Sequence, residues 1–177
     1  MQVEIEDFQK AVVAFRKQLQ RTKDKENLEV SYKEAIKNRF INGEIPYLVE
    51  RALAGQDPKL LVVFAEAIAQ GLSVYQVTKT MLRNIFGYAK KLETSETGKQ
   101  GEISEETLTK LYLMVAKIAY TQGKEQSRNK SVGPGLNLLK EIVEESVERI
   151  GKNRERFKNF IALFESIISY FRYYNPK

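Results

Sequence analysis

The stretch FKNFIALFESIISYFRYYN (157–175) decides the fold. Phe157, Phe160, Ile161, Phe164, Ile167, Ile168 and Phe171 recur at steps of three and four, so a 3.6-residue repeat gathers them on one helical face. This is the strongest periodic signal in the chain, and it predicts a helix over about 153–173. Working outward, Ile5, Phe8, Val12, Phe15 and Leu19 give a second amphipathic helix over about 4–22. The polar stretch RTKDKEN after it reads as a loop, and residues 29–54 as shorter helical pieces broken near Asn42-Gly43 and ahead of Pro46.

Gly55-Gln56-Asp57-Pro58 combines a helix stop with an Asp N-cap and Pro in the first turn. It predicts a helix to about Gln70, ended by Gly71. Ser73 then reads as the cap of the next helix, with Val74, Val77, Met81, Ile85, Tyr88 and Leu92 as its buried stripe. After a polar loop from Thr94 to Gly101, Ser104 starts a helix with Glu105 and Glu106 in its first turn, where the dipole favours them. Its expected apolar side is Leu108, Leu111, Tyr112, Val115, Ile118 and Ala119, with Gly123 at its end. GKEQSRNKSVGPG (123–135) reads as the longest and most basic loop, and 135–151 as the next helix. No window alternates with period two long enough to make a strand. The expectation is an all-α, single-domain helical bundle of about six helices.

A length of 177 residues suits one domain with a real core, and 29% charged residues with 42% hydrophobic ones argue against disorder. The formal charge is +6. Residues 1–57 carry 10 basic and 10 acidic side chains, 58–130 carry 11 and 7, and 131–177 carry 8 and 6, so the excess concentrates in the middle. With no Cys there is no disulfide framework and no thiolate metal site. The start MQVEIEDFQKAVVAF lacks the pattern of a secretory signal, and the longest apolar run, LLVVFA (60–65), is far short of a bilayer span. A cytoplasmic location with no membrane contact is expected.

The chain has no His, which removes the commonest general acid and base and the usual nucleophile arrangements. The ten Gly form neither a phosphate-cradling loop nor a dinucleotide fingerprint; Gly133-Pro134-Gly135 reads as a turn. Glu141, Glu144, Glu145 and Glu148 form a carboxylate cluster, read as the solvated side of a helix with Glu145 able to pair with Arg149 rather than as a cation site. No enzyme, no cofactor and no metal are expected.

Two stretches lack any acidic residue, Ala67–Leu92 and Thr107–Lys124. In the second, Lys110, Lys117 and Lys124 fall one heptad apart and form a stripe roughly 20 Å long. In the first, Lys79, Arg83 and Lys90 share a face, and the 123–135 stretch adds Arg128 and Lys130. Spacing alone leaves two readings open: solubilising side chains, or a surface that meets the phosphates of a polyanion. Tyr112 and Tyr120 read as core-edge tyrosines, so no stacking platform for single strands is expected. The tail SYFRYYNPK places Tyr170, Phe171, Tyr173 and Tyr174 almost all round the last helix. That arrangement suits either a C-terminal anchor or a protein contact through Tyr170, Arg172, Tyr173 and Tyr174.

Three segments in order, VTKTMLRNIFGYAKKL (77–92), KLYLMVAKIAYTQGK (110–124) and FKNFIALFESIISYFRYYN (157–175), resemble the small subunit of type III-A CRISPR effector complexes, the Csm complexes. The resemblance covers roughly the last 100 residues. It implies an all-helical, non-catalytic subunit that lines the effector filament and helps hold target RNA against guide RNA. Arg83 falls on the arginine of the family's helix motif, and Lys117 and Tyr120 on the lysine and tyrosine of its Lys-hydrophobic-Ala-Tyr stretch. Lys124 stands where Arg is commoner, Ala116 where Pro is frequent, and Asn175 where Gly is usual.

On that basis the expected RNA-binding residues are Lys79, Arg83, Lys117, Lys124, Arg128 and Lys130. The expected partners are guide RNA, target RNA and the other Csm subunits, with a homodimer possible in isolation because the first helix's heptad spacing allows exchange. Residues 71–177 are read as the family-like core of the single domain and 1–57 as an N-terminal helical extension. A structural adaptor acting by protein contacts alone, or the equivalent type III-B subunit, are the competing readings.

Overall fold

A computed structural model describes residues 3–177; Met1 and Gln2, the start of the expected N-terminal extension, lie outside it. Among the described residues there is no strand. The order is α1 (Ile5–Arg21), α2 (Lys25–Tyr32), a π-helical segment (Lys33–Ile41), α3 (Ile45–Leu53), α4 (Pro58–Val74), α5 (Lys79–Glu96), α6 (Glu105–Gln126), α7 (Val132–Ile150) and α8 (Arg154–Tyr174). The all-α bundle is as expected, but the described residues hold eight α-helices rather than about six. The difference arises in the N-terminal third. Asp24 accepts a hydrogen bond from the Asn27 backbone N–H at 3.2 Å and caps α2, and Glu26 sits in its first turn. The polar stretch expected to be a loop therefore shrinks to residues 22–24, and its last three residues start a helix.

Helix α4 is the centre of the molecule, with Leu60, Phe64, Ala65, Ala67, Ile68 and Leu72 all fully buried. Helix α8 lies along it and buries Phe157, Phe160, Ile161, Phe164, Ile167 and Phe171 of the stripe read from the sequence, while Ile168 is only half-buried and Leu163 joins the core instead. Phe160 and Phe164 pack at 5.3 Å between ring centroids, and Phe164 stacks on Phe86 of α5 at 6.2 Å. Truncating Phe164 to Ala would open a cavity at the junction of α5 and α8, at a cost of about 3–5 kcal/mol.

Helix α1 lays Phe8, Val12 and Phe15 onto its own chain, against α4 and the α2–π segment. Two arginine–carboxylate clamps fasten this N-terminal part. Arg16 donates from Nε and Nη2 to the two oxygens of buried Glu66 on α4, both at 2.7 Å. Arg156 of α8 donates to both oxygens of Glu50 on α3 at 2.7 and 2.9 Å, and Arg149 of α7 adds a third bond at 2.7 Å. The hydrogen bonds from Arg156, then Arg149, hold the Glu50 carboxyl down at about 2.

Three glycine readings are corrected, two of them for a common reason. Gly71 does not end α4, which continues to Val74; a Cβ at Gly71 would collide with the Tyr32 ring. Tyr32 crosses α4 there and donates its hydroxyl to the Ala67 carbonyl at 2.9 Å. Helix α6 likewise runs through Gly123 to Gln126. Gly133-Pro134-Gly135 forms the first turn of α7 instead of a loop, so the expected loop over 123–135 shrinks to Ser127–Ser131. A Cβ on Gly135 would meet Val77 and Tyr75 at 2.8 and 2.9 Å, and one on Gly133 would meet Gln126 at 2.9 Å. Gly71, Gly133 and Gly135 mark close approaches between elements, whereas Gly123 has open space beside it and is simply carried within α6.

Ser73 is not the cap of α5. The link turns at Gln76, which takes φ +60°, and Thr78 accepts from the Met81 N–H at 3.3 Å to start the helix. Asp57 and Ser104 do cap α4 and α6, accepting from Leu60 at 3.0 Å and Thr107 at 3.1 Å. The α5–α6 connection is fixed by Glu96, whose Oε1 accepts from the Thr107 and Ser104 hydroxyls at 2.6 and 2.7 Å. Its Oε2 accepts from Arg154 at 3.0 Å.

Candidate nucleic-acid interface

The two acid-free stretches become α5 with the end of α4, and α6. Helix α6 packs chiefly between α5 and α7 and sits at the edge of the bundle, while α5 lies between α6 and α8. Helix α5 therefore has a groove on each side. In the α5–α8 groove, Lys79, Arg83 and Arg172 rim a floor of Leu82, Phe86, Ile168 and Phe171, enclosing about 50 Å³. The α5–α6 groove, about 170 Å³, is lined by Asn84, Ile85, Tyr88, Met114, Lys117, Tyr120 and Thr121. Arg83 and Asn84 are consecutive and both exposed, so one helix presents both grooves.

The lysine stripe on α6 is not uniform. Lys110 donates to Glu106 one turn earlier at 2.6 Å, which raises the lysine pKa and lowers that of the carboxyl. The adjacent carboxylate offsets part of the attraction that Lys110 would offer a phosphate. Lys117 instead holds its ammonium 4.2 Å from the centroid of the Tyr88 ring on α5. Lys124 is exposed and makes no ion pair among the described residues.

The other expected residues divide similarly. Arg83 and Lys130 are exposed and carry no ion pair among the described residues. Arg128, also exposed, keeps a loose contact with Glu125 at 3.7 Å. Lys79 donates to the Lys177 carbonyl. Lys90, which shares a helix face with Lys79 and Arg83, is satisfied by Glu93 and by Glu165 of α8, the latter at 2.9 Å; these bonds raise its pKa. The structure thus brings Lys79 and Arg83 together, adds Arg172, and puts Lys117 across α5 from them. Lys124, Arg128 and Lys130 lie at and beyond the C-terminal end of α6.

The exposed face of α6 was misread. Thr107, Leu111, Met114 and Ile118 are its buried residues, while Tyr112, Leu113, Ala116, Ala119 and Tyr120 face outward. Tyr120 is 71% exposed, the most exposed of the large hydrophobic side chains. Burial and then the Glu148 carboxylate raise the hydroxyl pKa of Tyr112. The absence of acid from Thr107 to Lys124 was the signal available in the sequence. Which apolar residues pointed out was not legible there, because α6 is apolar on both faces.

The C-terminal tyrosines do not act as one set. Tyr174 turns into its own chain, donating to Glu66 Oε1 at 2.6 Å and accepting from Gln70 Nε2 at 3.0 Å. Buried Glu66 demands donors, and Tyr174 is one of them. Burial, then the bond to Glu66, raises its hydroxyl pKa. Tyr170 is half-buried and lines a shallow cleft with Arg16, Ser169 and Tyr173. Tyr173 is exposed along its ring but accepts from Gln20, and Arg172 belongs to the α5–α8 groove.

In the carboxylate cluster, Glu145 accepts from Arg149 at 2.7 Å, as the spacing suggested. Glu141 accepts from Asn137, and Glu144 pairs with Lys140 at 3.6 Å. No group of three potential metal ligands converges among the described residues. No helix there is long and apolar enough to cross a membrane.

The family model described as Csm2 Type III-A matches residues 55–177, from the turn ahead of α4 to the end of α8. No curated protein and no solved structure matches the chain.

Proposed function

Because the chain belongs to the Csm2 family, the small subunits of type III-A Csm complexes, we propose that it is a non-catalytic RNA-binding subunit that holds target RNA against guide RNA through the phosphate backbone. It works in the cytoplasm, among the other Csm subunits. The type III-A match favours this family over its type III-B counterpart.

One observation carries the reading. Arg83, Lys117, Lys124, Lys130 and Arg172 all lie in the family-matched segment, and none is matched by a carboxylate among the described residues. Lys90 and Lys110, on the same two helices, are matched. Unmatched cations retain their full attraction for phosphate, and lysines on flexible stems suit backbone contact more than base reading. Binding should fall steeply with salt and vary little with sequence.

The experiment is co-purification of the tagged chain with neighbouring subunits and bound RNA, followed by a salt wash series. RNA that leaves progressively as salt rises supports the reading. A complete assembly that never holds RNA through this subunit supports a purely structural adaptor, for which outward-facing Tyr112, Leu113 and Tyr173 supply contact surface.

A further inference from the structure

The α5–α6 groove has a composition that phosphate contact does not explain. Its outer wall is Tyr120, 71% exposed, with Ala116, Leu113 and Gly123 beside it on the same helix and no carboxylate between Thr107 and Lys124. Between its exposed lysines, Lys117 and Lys124, the exposed residues of this face are only apolar or aromatic, and none is a carboxylate. Its opposite wall is Tyr88, and between the two rings lies Lys117, three residues before Tyr120 and therefore adjacent on the helix surface. Asn84 also lines the groove, with an exposed amide that makes no hydrogen bond among the described residues. Unmatched Arg83 and Lys124 lie on α5 and further along α6.

We propose that this groove seats one unstacked nucleobase of a single-stranded RNA on the Tyr120 ring. This inference rests on the RNA reading above. Every base has a π-face, so a tyrosine platform tolerates any sequence, and flanking cations hold the phosphates on either side. Lys117, already drawn to the Tyr88 ring, sits where it reaches the adjoining phosphate. The Asn84 amide offers a donor and an acceptor to the base edge.

The test uses the full chain and two probes, a short mixed-sequence single-stranded oligoribonucleotide and inorganic polyphosphate, which has charge but no base. Tyr120→Leu should weaken RNA binding about five- to 150-fold, the range of one lost stacking contact. It should leave the salt dependence and the polyphosphate affinity unchanged, because no charge is altered. Tyr120→Phe should bind RNA as the wild type does. Unchanged RNA affinity in Tyr120→Leu overturns the proposal, as does an equal loss for both probes. A Tyr120→Leu chain that binds RNA normally but fails to join its partner subunits overturns it too, and gives the face to a protein. If the wild-type chain binds neither probe, the RNA reading itself fails and takes this one with it.

Discussion

The ammonium of Lys117 lies 4.2 Å from the centroid of the Tyr88 ring, spanning the line where α6 meets α5. A cation held over an aromatic face at an exposed site gains about 0.5–1 kcal/mol and loses rotamer freedom before any ligand arrives. Tyr88→Leu should therefore leave the number of phosphate contacts unchanged while loosening Lys117. RNA affinity is expected to fall a few-fold with the same slope of log affinity against log salt. Lys117→Ala should lower the slope itself by about one. A titration at several salt concentrations separates the two outcomes.

Lys110 and Lys124 share a stripe but not a role. Lys110 is matched by Glu106 at 2.6 Å, and Lys124 is unmatched among the described residues. Lys124→Ala should reduce RNA affinity and the salt slope. Lys110→Ala should change the salt slope by little, because the Lys110 ammonium is committed to Glu106 and is not a phosphate contact. Equal losses in the two variants would show that the ion pair does not set the order.

Gly71→Ala should destabilise the fold by about 1–3 kcal/mol in urea unfolding, because its methyl group would overlap the Tyr32 ring. At an exposed helical site the same change stabilises by roughly 1 kcal/mol. The sign of the effect reports whether Tyr32 crosses α4 as described.

The clamp at Glu66 joins α1, α4 and the end of α8. Arg16→Ala leaves a buried carboxylate with Tyr174 as its remaining donor, and should cost about 2–3 kcal/mol. Tyr174→Phe removes two hydrogen bonds, the one donated to Glu66 and the one accepted from Gln70, and should cost about 1–2 kcal/mol. Thermal unfolding of both variants and the double variant measures the coupling.

Burial works to raise the Glu96 pKa, but hydrogen bonds from Thr107, Ser104 and Arg154 outweigh it and bring the carboxyl from its ordinary 4.5 to about 2. A depressed folded pKa means stability fully present above 4.5 and lost as pH falls toward about 2. At neutral pH the contribution is at most about 3 kcal/mol. Glu96→Gln should flatten the stability curve across that window. Arg154 keeps the carbonyls of Gly101, Glu102 and Glu96 as acceptors, so the loop after α5 should stay in place.

The elements set by local chemistry were readable in the sequence. The α8 stripe, the α1 stripe and the caps Asp57 and Ser104 depend on residues within a turn or two of each other. Gly71, Gly133 and Gly135 were misread as punctuation because their purpose lies in distant neighbours, Tyr32, Gln126, Tyr75 and Val77. The pairing of Lys110 was legible, since Glu106 stands one turn upstream, just outside the acid-free stretch. Tyr120 was not, because an edge helix with apolar side chains on both its buried and its exposed face gives no periodic sign of which ring faces out.

On the function proposed above, unmatched cations on α5 and α6 hold RNA by its phosphates. The most direct test is RNA retention by the assembled complex carrying Arg83→Ala, Lys117→Ala and Lys124→Ala together, across a salt series. The account predicts an intact complex that loses RNA at lower salt, with the slope of log affinity against log salt reduced by about three. Retention equal to the wild type at moderate salt, with an unchanged slope, would contradict it.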